Sequence, residues 1–307
     1  MDILGKRYWY FGLSLLLIVP GLVAMAVWGL PLAIDFTGGS LLEVQFNSGT
    51  APQPAEVTAL YEQEFNITNT RVQTSGTDVV IVRSPFLDDE TRAALLTAMQ
   101  TRFNDTVTLK RFDSVGPTIG QEVAARAALA VAVAAAAVVV YIYLAFRGLP
   151  HALRYGVCAI IAMIHDVAVV LSLGAIGGHF FGWQIDSLFL TATLTVVGFS
   201  VQDKIVVFAR IRENNRLYRR LPFETLANHS IVQTLQRSIN TQLMTVQFLL
   251  LALALFGGVT LREFAITLVV GLLSGTYSSI FIAAPILVVW EKREWQNWFW
   301  RGAQPAA

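Results

Sequence analysis

Asp203, an ionisable residue, lies inside an apolar stretch that is long enough to cross a bilayer, residues 187–209. A charged side chain at the centre of a membrane helix costs roughly 2.5 to 3.5 kcal/mol on insertion scales, so such residues usually face a protein interior and mark ion or proton pathways. At about 1.5 Å per residue, Asp203 lies ~24 Å from the outer end of this stretch, in its inner third. The position predicts a carboxyl group that carries protons.

Arg237 precedes the next apolar stretch at a similar depth, so we expect it to meet Asp203 between two helices and to complete a proton relay. Two alternatives remain open: an ion pair that only fixes helix packing, and an arginine that contacts lipid phosphate at the water interface. Lys204 follows Asp203 but is turned ~100° away on a helix. We expect its long side chain to reach towards the cytoplasmic interface.

His165 and Asp166 form a second polar pair, near the middle of the apolar stretch 153–176. Burying such a pair in hydrocarbon is costly, which favours a function, and histidine titrates near neutral pH. The pair is therefore a further candidate for the proton relay. A structural hydrogen-bond network is the alternative.

Two sets of small residues predict close backbone contacts. Gly271, Gly275 and Ser279 recur every four residues, which places them on one helix face and predicts helix packing. Gly38 and Gly39 directly follow one another near the end of the first apolar stretch, where they permit backbone angles that other residues avoid.

The composition is that of an integral membrane protein. Of 307 residues, 55% are hydrophobic and only 14% are charged, whereas soluble domains average about 25% charged residues. The net charge of +1 gives no support to nucleic-acid binding. Cys158 is the only cysteine, which excludes an intrachain disulfide and a cysteine-based metal site. A Walker motif is absent and no cofactor is implied, so the sequence predicts no enzyme.

Six apolar stretches are long enough to cross ~30 Å of hydrocarbon as helices. They occupy residues 8–30, 123–146, 153–176, 187–209, 239–257 and 264–290. The first also resembles a secretory signal that ends at Ala24-Met25-Ala26, but its continuation to Leu30 and the five later stretches favour a membrane span. Lysines and arginines gather before the first stretch and after the second, fourth and sixth, which predicts that both termini are cytoplasmic.

These spans divide the chain into predicted segments. The segments are a first transmembrane helix in 1–34, an extracytoplasmic domain in 35–120, five transmembrane helices in 121–291 with a cytoplasmic loop at 210–238, and a cytoplasmic tail at 292–307. The predicted fold class is therefore an all-α membrane bundle of six helices that carries one extracytoplasmic α+β domain.

The segment 35–120 is too long for a structureless loop. Its strand-like and helical patterns alternate as a strand at 41–46, a helix at 54–65, two strands at 71–74 and 78–83, a helix at 88–103 and a strand at 107–112. Ser75-Gly76-Thr77 has the composition of a hairpin turn between the second and third strands. The order β-α-β-β-α-β predicts a ferredoxin-like domain.

Several of these motifs together resemble the signatures of the SecF family, the smaller membrane components of the bacterial Sec translocon accessory complex. One signature is Asp35-Phe36-Thr37-Gly38-Gly39, after the first span. The others are Val197-Gly198-Phe199-Ser200-Val201-Gln202-Asp203, Arg210-Ile211-Arg212-Glu213-Asn214, Arg237-Ser238-Ile239-Asn240-Thr241 and Phe256-Gly257-Gly258. The resemblance covers nearly the whole chain. This sequence has Gln202-Asp203-Lys204 where the family often has Asn-Asp-Ser/Thr, and Ala209 where an aspartate is common.

The resemblance implies half of a transporter of the resistance-nodulation-division (RND) superfamily, located in the plasma membrane. Its implied partners are a SecD homologue, the SecYEG channel, the exported polypeptide and membrane lipid. It implies use of the proton motive force to promote protein export, with Asp203 and Arg237 as the residues tied to proton passage.

Two other functions remain open. The chain resembles half of a proton-driven exporter of small molecules or lipids, which would use the same carboxylate for another cargo, although such exporters usually carry larger periplasmic domains. It is also consistent with a non-transporting assembly scaffold, in which the charges inside the membrane only hold helices together.

Overall fold

The structure, a computed structural model, describes residues 2–147, 152–218, 220–245, 250–256, 259–294 and 296. They form two compact units, each described by itself below. The first, called the membrane unit, contains Met1–Pro31, Val131–Trp183 and Ser187–Ala307. The second, called the sheet unit, contains Leu32–Ala130 and Gln184–Asp186.

The helices and strands are numbered in chain order. They are α1 (Arg7–Trp28), α2 (Ile34–Thr37), β1 (Gly39–Phe46), α3 (Pro54–Phe65), β2 (Arg71–Ser75), β3 (Val79–Ser84), α4 (Asp89–Phe103), β4 (Val107–Val115), α5 (Pro117–Phe146), α6 (Ala152–Phe181), α7 (Ser187–Leu217), α8 (Phe223–Thr245), α9 (Leu251–Phe256), α10 (Val259–Ser278) and α11 (Ala284–Glu291).

Five helical segments within the described residues are long and apolar enough to cross a membrane. They are Leu4–Trp28, Pro117–Phe146, Ala152–Phe181, Ser187–Leu217 and Leu261–Glu291. The sixth predicted span, 239–257, passes through residues 246–249, which lie outside the described residues. The protein is thus a multi-pass membrane protein.

The connection at 210–238, predicted to be a cytoplasmic loop, is mostly helical. Helix α7 continues to Leu217, and α8 already begins at Phe223. The two helices extend beyond the apolar stretches because their polar residues also pack: the buried Asn214 amide donates to the Ser230 hydroxyl oxygen at 2.8 Å. The sequence-based bounds ended each helix where the apolar composition ends, whereas both helices continue into this segment.

The last membrane-crossing segment is not a uniform α-helix. A π-helical stretch, Ser279–Ala283, joins α10 to α11. Pro285 lies in the first turn of α11 and has no backbone N–H to donate to a carbonyl one turn earlier, which disturbs the regular hydrogen-bond ladder at this point. Such wide turns are frequent at functional sites, and this one directly follows the buried Ser278.

The sheet unit contains four antiparallel strands in the spatial order β2-β3-β1-β4. Leu42, Val44 and Phe46 alternate along β1, so all three point to one face, where they are buried in a common core with residues of α3 and α4. Helix α4 starts with a side-chain cap, since the Asp88 carboxylate accepts from the Thr91 backbone N–H at 2.8 Å.

The glycine pair makes the turn from α2 into β1. Gly38 and Gly39 have φ angles of +73° and +128°, which L-residues with a side chain rarely adopt. A Cβ atom on Gly39 would lie 2.7 Å from the Ser84 carbonyl oxygen, and one on Gly38 would lie 2.8 Å from the Cα atom of Pro117. Glycine is therefore required here both by backbone conformation and by space.

Tyr61 carries a buried hydroxyl group that has no hydrogen-bond partner within the described part of the chain. Burial raises the pKa of Tyr61, so the group stays neutral. We expect Tyr61→Phe to stabilise the sheet unit by about 1 kcal/mol, because an unsatisfied buried hydroxyl is removed without creating a cavity. Thermal unfolding of the purified full chain measures this change in stability.

Tyr277→Phe is the matched control. It should lower the stability, since the Tyr277 hydroxyl donates to the Tyr10 carbonyl oxygen at 2.9 Å and this hydrogen bond is lost. A loss of stability in the Tyr61 variant would contradict the expectation.

Candidate functional site

Asp203 lies on α7 and turns towards α8. Its side chain is half-buried, and its Oδ1 atom accepts a long hydrogen bond of 3.4 Å from the Ser238 hydroxyl. Its Oδ2 atom is buried and has no partner among the residues that the structure describes. A carboxylate in this position is poorly compensated, because a buried charge normally needs several donors or a counter-ion.

Arg237 does not pair directly with Asp203 as predicted. Within the described residues no salt bridge joins the two side chains and Arg237 is exposed, although its charge is near enough to act on the Asp203 carboxyl group. The physical reason is helix phase: consecutive residues point ~100° apart, and on α8 it is the buried Ser238 that faces Asp203. Sequence depth placed Arg237 near Asp203 but could not give the rotation of α8.

Arg237 instead lines a cavity of about 470 Å³ between α7 and α8. Arg210, Arg212 and Glu213 lie on the opposite wall. Arg210 has partners on both helices, because it donates to Gln233 of α8 at 2.8 Å and to Glu213 of α7 at 2.6 Å. The cavity therefore has a strongly basic lining at the polar end of α7.

Asp166 is fully buried on α6, and donors surround its carboxylate. The hydroxyls of Ser200, Ser274 and Ser278 donate to it at 2.5, 2.8 and 2.6 Å respectively. The His165 Nδ1 atom lies 3.0 Å from Oδ1. These partners come from α6, α7 and α10, so the carboxylate joins three helices.

Lys204 is the counter-ion of Asp166. Its ammonium group donates to Asp166 Oδ2 at 2.8 Å and to the Ser200 carbonyl oxygen at 3.3 Å, and also contacts the Ser200 hydroxyl. Both charged side chains are fully buried. The prediction that Lys204 reaches the cytoplasmic interface was therefore wrong. Asp203 and Lys204 point to different neighbours because they are consecutive on a helix.

His165 has one ring nitrogen directed at Asp166, and its other nitrogen, Nε2, is buried without a partner in the described part of the chain. The imidazole lies near the Tyr277 ring, with 6.1 Å between centroids. Tyr277 in turn accepts a hydrogen bond of 3.3 Å from Ser14 on α1. Contacts through His165 and Tyr277 therefore extend from the buried charge pair to α1.

Small residues of α10 bring this helix close to α6 and α7. A Cβ atom on Gly271 would lie 2.3 Å from a Val196 methyl carbon, and one on Gly275 would lie 3.4 Å from Cα of Ser200. Ser279 is buried and donates to the Gly275 carbonyl oxygen at 2.7 Å. This close approach lets hydroxyls of α10 reach Asp166.

Sequence reasoning missed the hydroxyl groups around Asp166. Ser200 and Lys204 are four residues apart on α7, and Ser274 and Ser278 are four residues apart on α10. Such pairs share a helix face, and their spacing was the available signal. The signature residues Asp35, Phe36 and Thr37 lie in α2 of the sheet unit.

Two family models match the chain. "Protein export membrane protein SecD/SecF, C-terminal" matches residues 95–293, and "SecD/SecF GG Motif" matches residues 23–49. The second match contains the glycine pair whose backbone conformation is described above.

Full-length relatives are similar over the whole chain. The protein translocase subunit SecF of Anaerolinea thermophila is 68% identical over 307 residues, which are 100% of this chain and 99% of that protein. The SecF subunit of Thermobaculum terrenum is 43% identical over 100% of this chain and 99% of its own length.

Solved structures of SecDF have a similar fold. The crystal structure of SecDF from Thermus thermophilus, a translocon-associated membrane protein, matches with a TM-score of 0.82 and 31% identity over 95% of this chain. A crystal structure of SecDF in a super-membrane-facing form matches with a TM-score of 0.63 and 28% identity over 97% of this chain. The chain spans 39% of either SecDF chain.

Proposed function

Because the chain belongs to the SecF family of protein translocase subunits, we propose that it couples a proton gradient to protein export through Asp203. The observation that carries the proposal is the contrast between two buried carboxylates. Asp166 has a counter-ion and three hydroxyl donors, whereas Asp203 has one long hydrogen bond and a buried oxygen without a described partner. Because the Asp203 charge is less well compensated than the Asp166 charge, protonation of Asp203 changes the electrostatic balance of its surroundings more.

The proposed proton step changes the contact between α7 and α8. A protonated Asp203 is neutral and needs no counter-ion beside the Ser238 hydroxyl, while an ionised Asp203 needs a cation. Arg237 lies next to Ser238 on α8, so rotation of α8 towards Asp203 would replace the serine contact by the guanidinium. The protonation state of Asp203 then determines which of two positions α8 favours. The ionised carboxylate favours the position with Arg237 beside it, and the neutral carboxyl group does not.

His165 and Asp166 have a different role in this proposal. The Lys204 ammonium and the surrounding serines keep the Asp166 charge compensated, which favours the structural network over a place in the proton relay. Gly271, Gly275 and Ser279 then serve helix packing, since they allow α10 to approach the charge pair.

We propose further that the chain works with a SecD homologue beside the SecYEG channel, on an exported polypeptide and in contact with membrane lipid. The SecDF chains support the pairing, because this chain matches only 39% of their length and leaves room for a second half. On this basis the complete bundle has six spans, as half of an RND-type transporter in the plasma membrane, with both termini in the cytoplasm.

The sheet unit is proposed to be a ferredoxin-like domain on the far side of the membrane. Its elements follow the order β-α-β-β-α-β, and its antiparallel strands have the order β2-β3-β1-β4, which is the arrangement expected of that fold. An extracytoplasmic domain of this size gives the complex a surface on the side where the polypeptide emerges.

Export by reconstituted vesicles tests the proposal. The tagged chain, co-purified from its own cells, is expected to bring down a SecD homologue and the SecY channel. Vesicles that contain this complex are expected to export faster under an imposed proton gradient, since a proton moving through 100 mV releases ~2.3 kcal/mol. Recovery with an outer-membrane channel would support the exporter alternative, and export without any response to the gradient would contradict coupling.

A further inference from the structure

We infer that Lys204, Asp166 and Ser200 form a site for a monovalent alkali cation, which the Lys204 ammonium permanently fills. The chain therefore carries its own cation at this point, and removal of the ammonium would leave a site that binds Na⁺ or K⁺. The inference concerns Lys204 and its oxygen shell and does not depend on the proposed proton step at Asp203.

The atoms around the ammonium have the chemistry of a cation site. Its three partners are all oxygens: a carboxylate oxygen of Asp166, and the carbonyl and hydroxyl oxygens of Ser200. Carboxylate, carbonyl and hydroxyl oxygens are the ligands that hard cations prefer. An ammonium group and an alkali ion differ little in what they require of such a shell, because both are compact cations with a single charge.

Contacts other than those with the lysine hold these oxygens in place. The Asp166 carboxylate also accepts from Ser278 and Ser274 on α10 at 2.6 and 2.8 Å. The Ser200 carbonyl belongs to the backbone of α7. Close packing of Gly275 against Ser200 fixes the distance between these two helices. Loss of the Lys204 side chain would therefore leave the oxygens near their present positions.

The charge of the ligands favours a monovalent ion. Among the described residues, Asp166 is the one carboxylate that forms a salt bridge with the ammonium, and the oxygens of Ser200 are neutral. Divalent ions usually take more than one acidic ligand, and no group of three or more His, Cys, Asp or Glu that could hold a metal ion occurs within the described ranges. A single positive charge balances the site, so a divalent ion would leave one charge uncompensated in a buried position.

In the native protein, the stability that this site provides should therefore not depend on which salt is present. A tethered ammonium cannot dissociate, so α6, α7 and α10 stay joined whatever the Na⁺ or K⁺ concentration. We expect the melting temperature of the wild-type chain to be the same in NaCl, KCl and choline chloride at equal ionic strength.

Lys204→Ala tests the inference in the purified full chain, with Lys204→Met as the matched control. Alanine opens space next to the oxygens for an ion and water, whereas methionine fills the same volume with an apolar side chain. In choline chloride both variants should melt below wild type. Replacement of choline by NaCl or KCl should raise the melting temperature of the alanine variant by about 5 °C, through preferential binding to the folded state. It should leave the methionine variant unchanged, and the two salts show which ion fits better.

One further variant decides ambiguous results. In Asp166→Asn/Lys204→Ala the charged ligand is absent, so no response to Na⁺ or K⁺ is expected. If Lys204→Ala folds only in NaCl or KCl, the inference holds. Equal melting temperatures of Lys204→Ala in all three salts would overturn it, as would failure to fold in any salt while the double variant folds. A rise in the wild-type melting temperature with NaCl of the size expected for the variant would also overturn it.

Discussion

Asp203→Asn is expected to abolish the stimulation of protein export by a proton gradient while the helices stay folded. The amide has nearly the same shape as the carboxyl group and can still accept from the Ser238 hydroxyl, as the carboxylate does at 3.4 Å. It cannot release or bind a proton in the relevant pH range. Coupling to one proton at 100 mV amounts to ~2.3 kcal/mol, or about 50-fold in an equilibrium constant, and all of this would be lost.

The measurement is export by reconstituted vesicles with and without an imposed gradient. Glu213→Gln is the matched control: this carboxylate also lies on α7, but it is exposed and paired with Arg210 three residues earlier. The control should keep the full response to the gradient. A full response in the Asp203 variant would show that the proton passes elsewhere, and a loss in both variants would indicate damage to α7 rather than loss of a proton carrier.

Much of the sheet unit could be predicted from the sequence, because local patterns determine it. The hairpin around Gly76 and the two helices follow from turn composition, amphipathic spacing and the acidic start at Asp88. In strand β1, predicted at 41–46, Leu42, Val44 and Phe46 lie in the core, since residues two apart share a face.

The membrane unit could be predicted only in part. Hydropathy identified the helices that cross the membrane and the unusual polar residues in them, but not which neighbour each polar residue faces. Lys204 was expected near water and pairs with Asp166, and Arg237 was expected at Asp203 and lines a cavity. Both errors have one cause. Helix rotation depends on packing, and the small residues of α10 that permit this packing lie more than 60 residues further along the chain than Lys204.

Asp166→Asn is expected to destabilise the protein by about 3 to 5 kcal/mol, the usual cost of breaking a buried ion pair from one side. The substitution leaves the Lys204 ammonium fully buried with only oxygens of Ser200 and a neutral amide around it. Equilibrium unfolding of the purified chain, together with the yield of folded protein, measures the loss. Glu122→Gln breaks an exposed pair with Arg126 and should cost only a few tenths of a kcal/mol. A similarly small effect at Asp166 would contradict the assignment of Lys204 as its counter-ion.

The double variant Asp166→Asn/Lys204→Met separates a structural pair from a proton carrier. Removing both charges and keeping the volume should recover most of the lost stability, because two buried groups of similar size without charge need no compensation. If the pair only joins α6, α7 and α10, gradient-driven export should return together with stability. If Asp166 carries the proton, the double variant should fold and still fail to respond to the gradient. We expect the first outcome, because the charge of the Asp166 carboxylate is fully compensated. At Asp203, by contrast, no second substitution is expected to restore coupling.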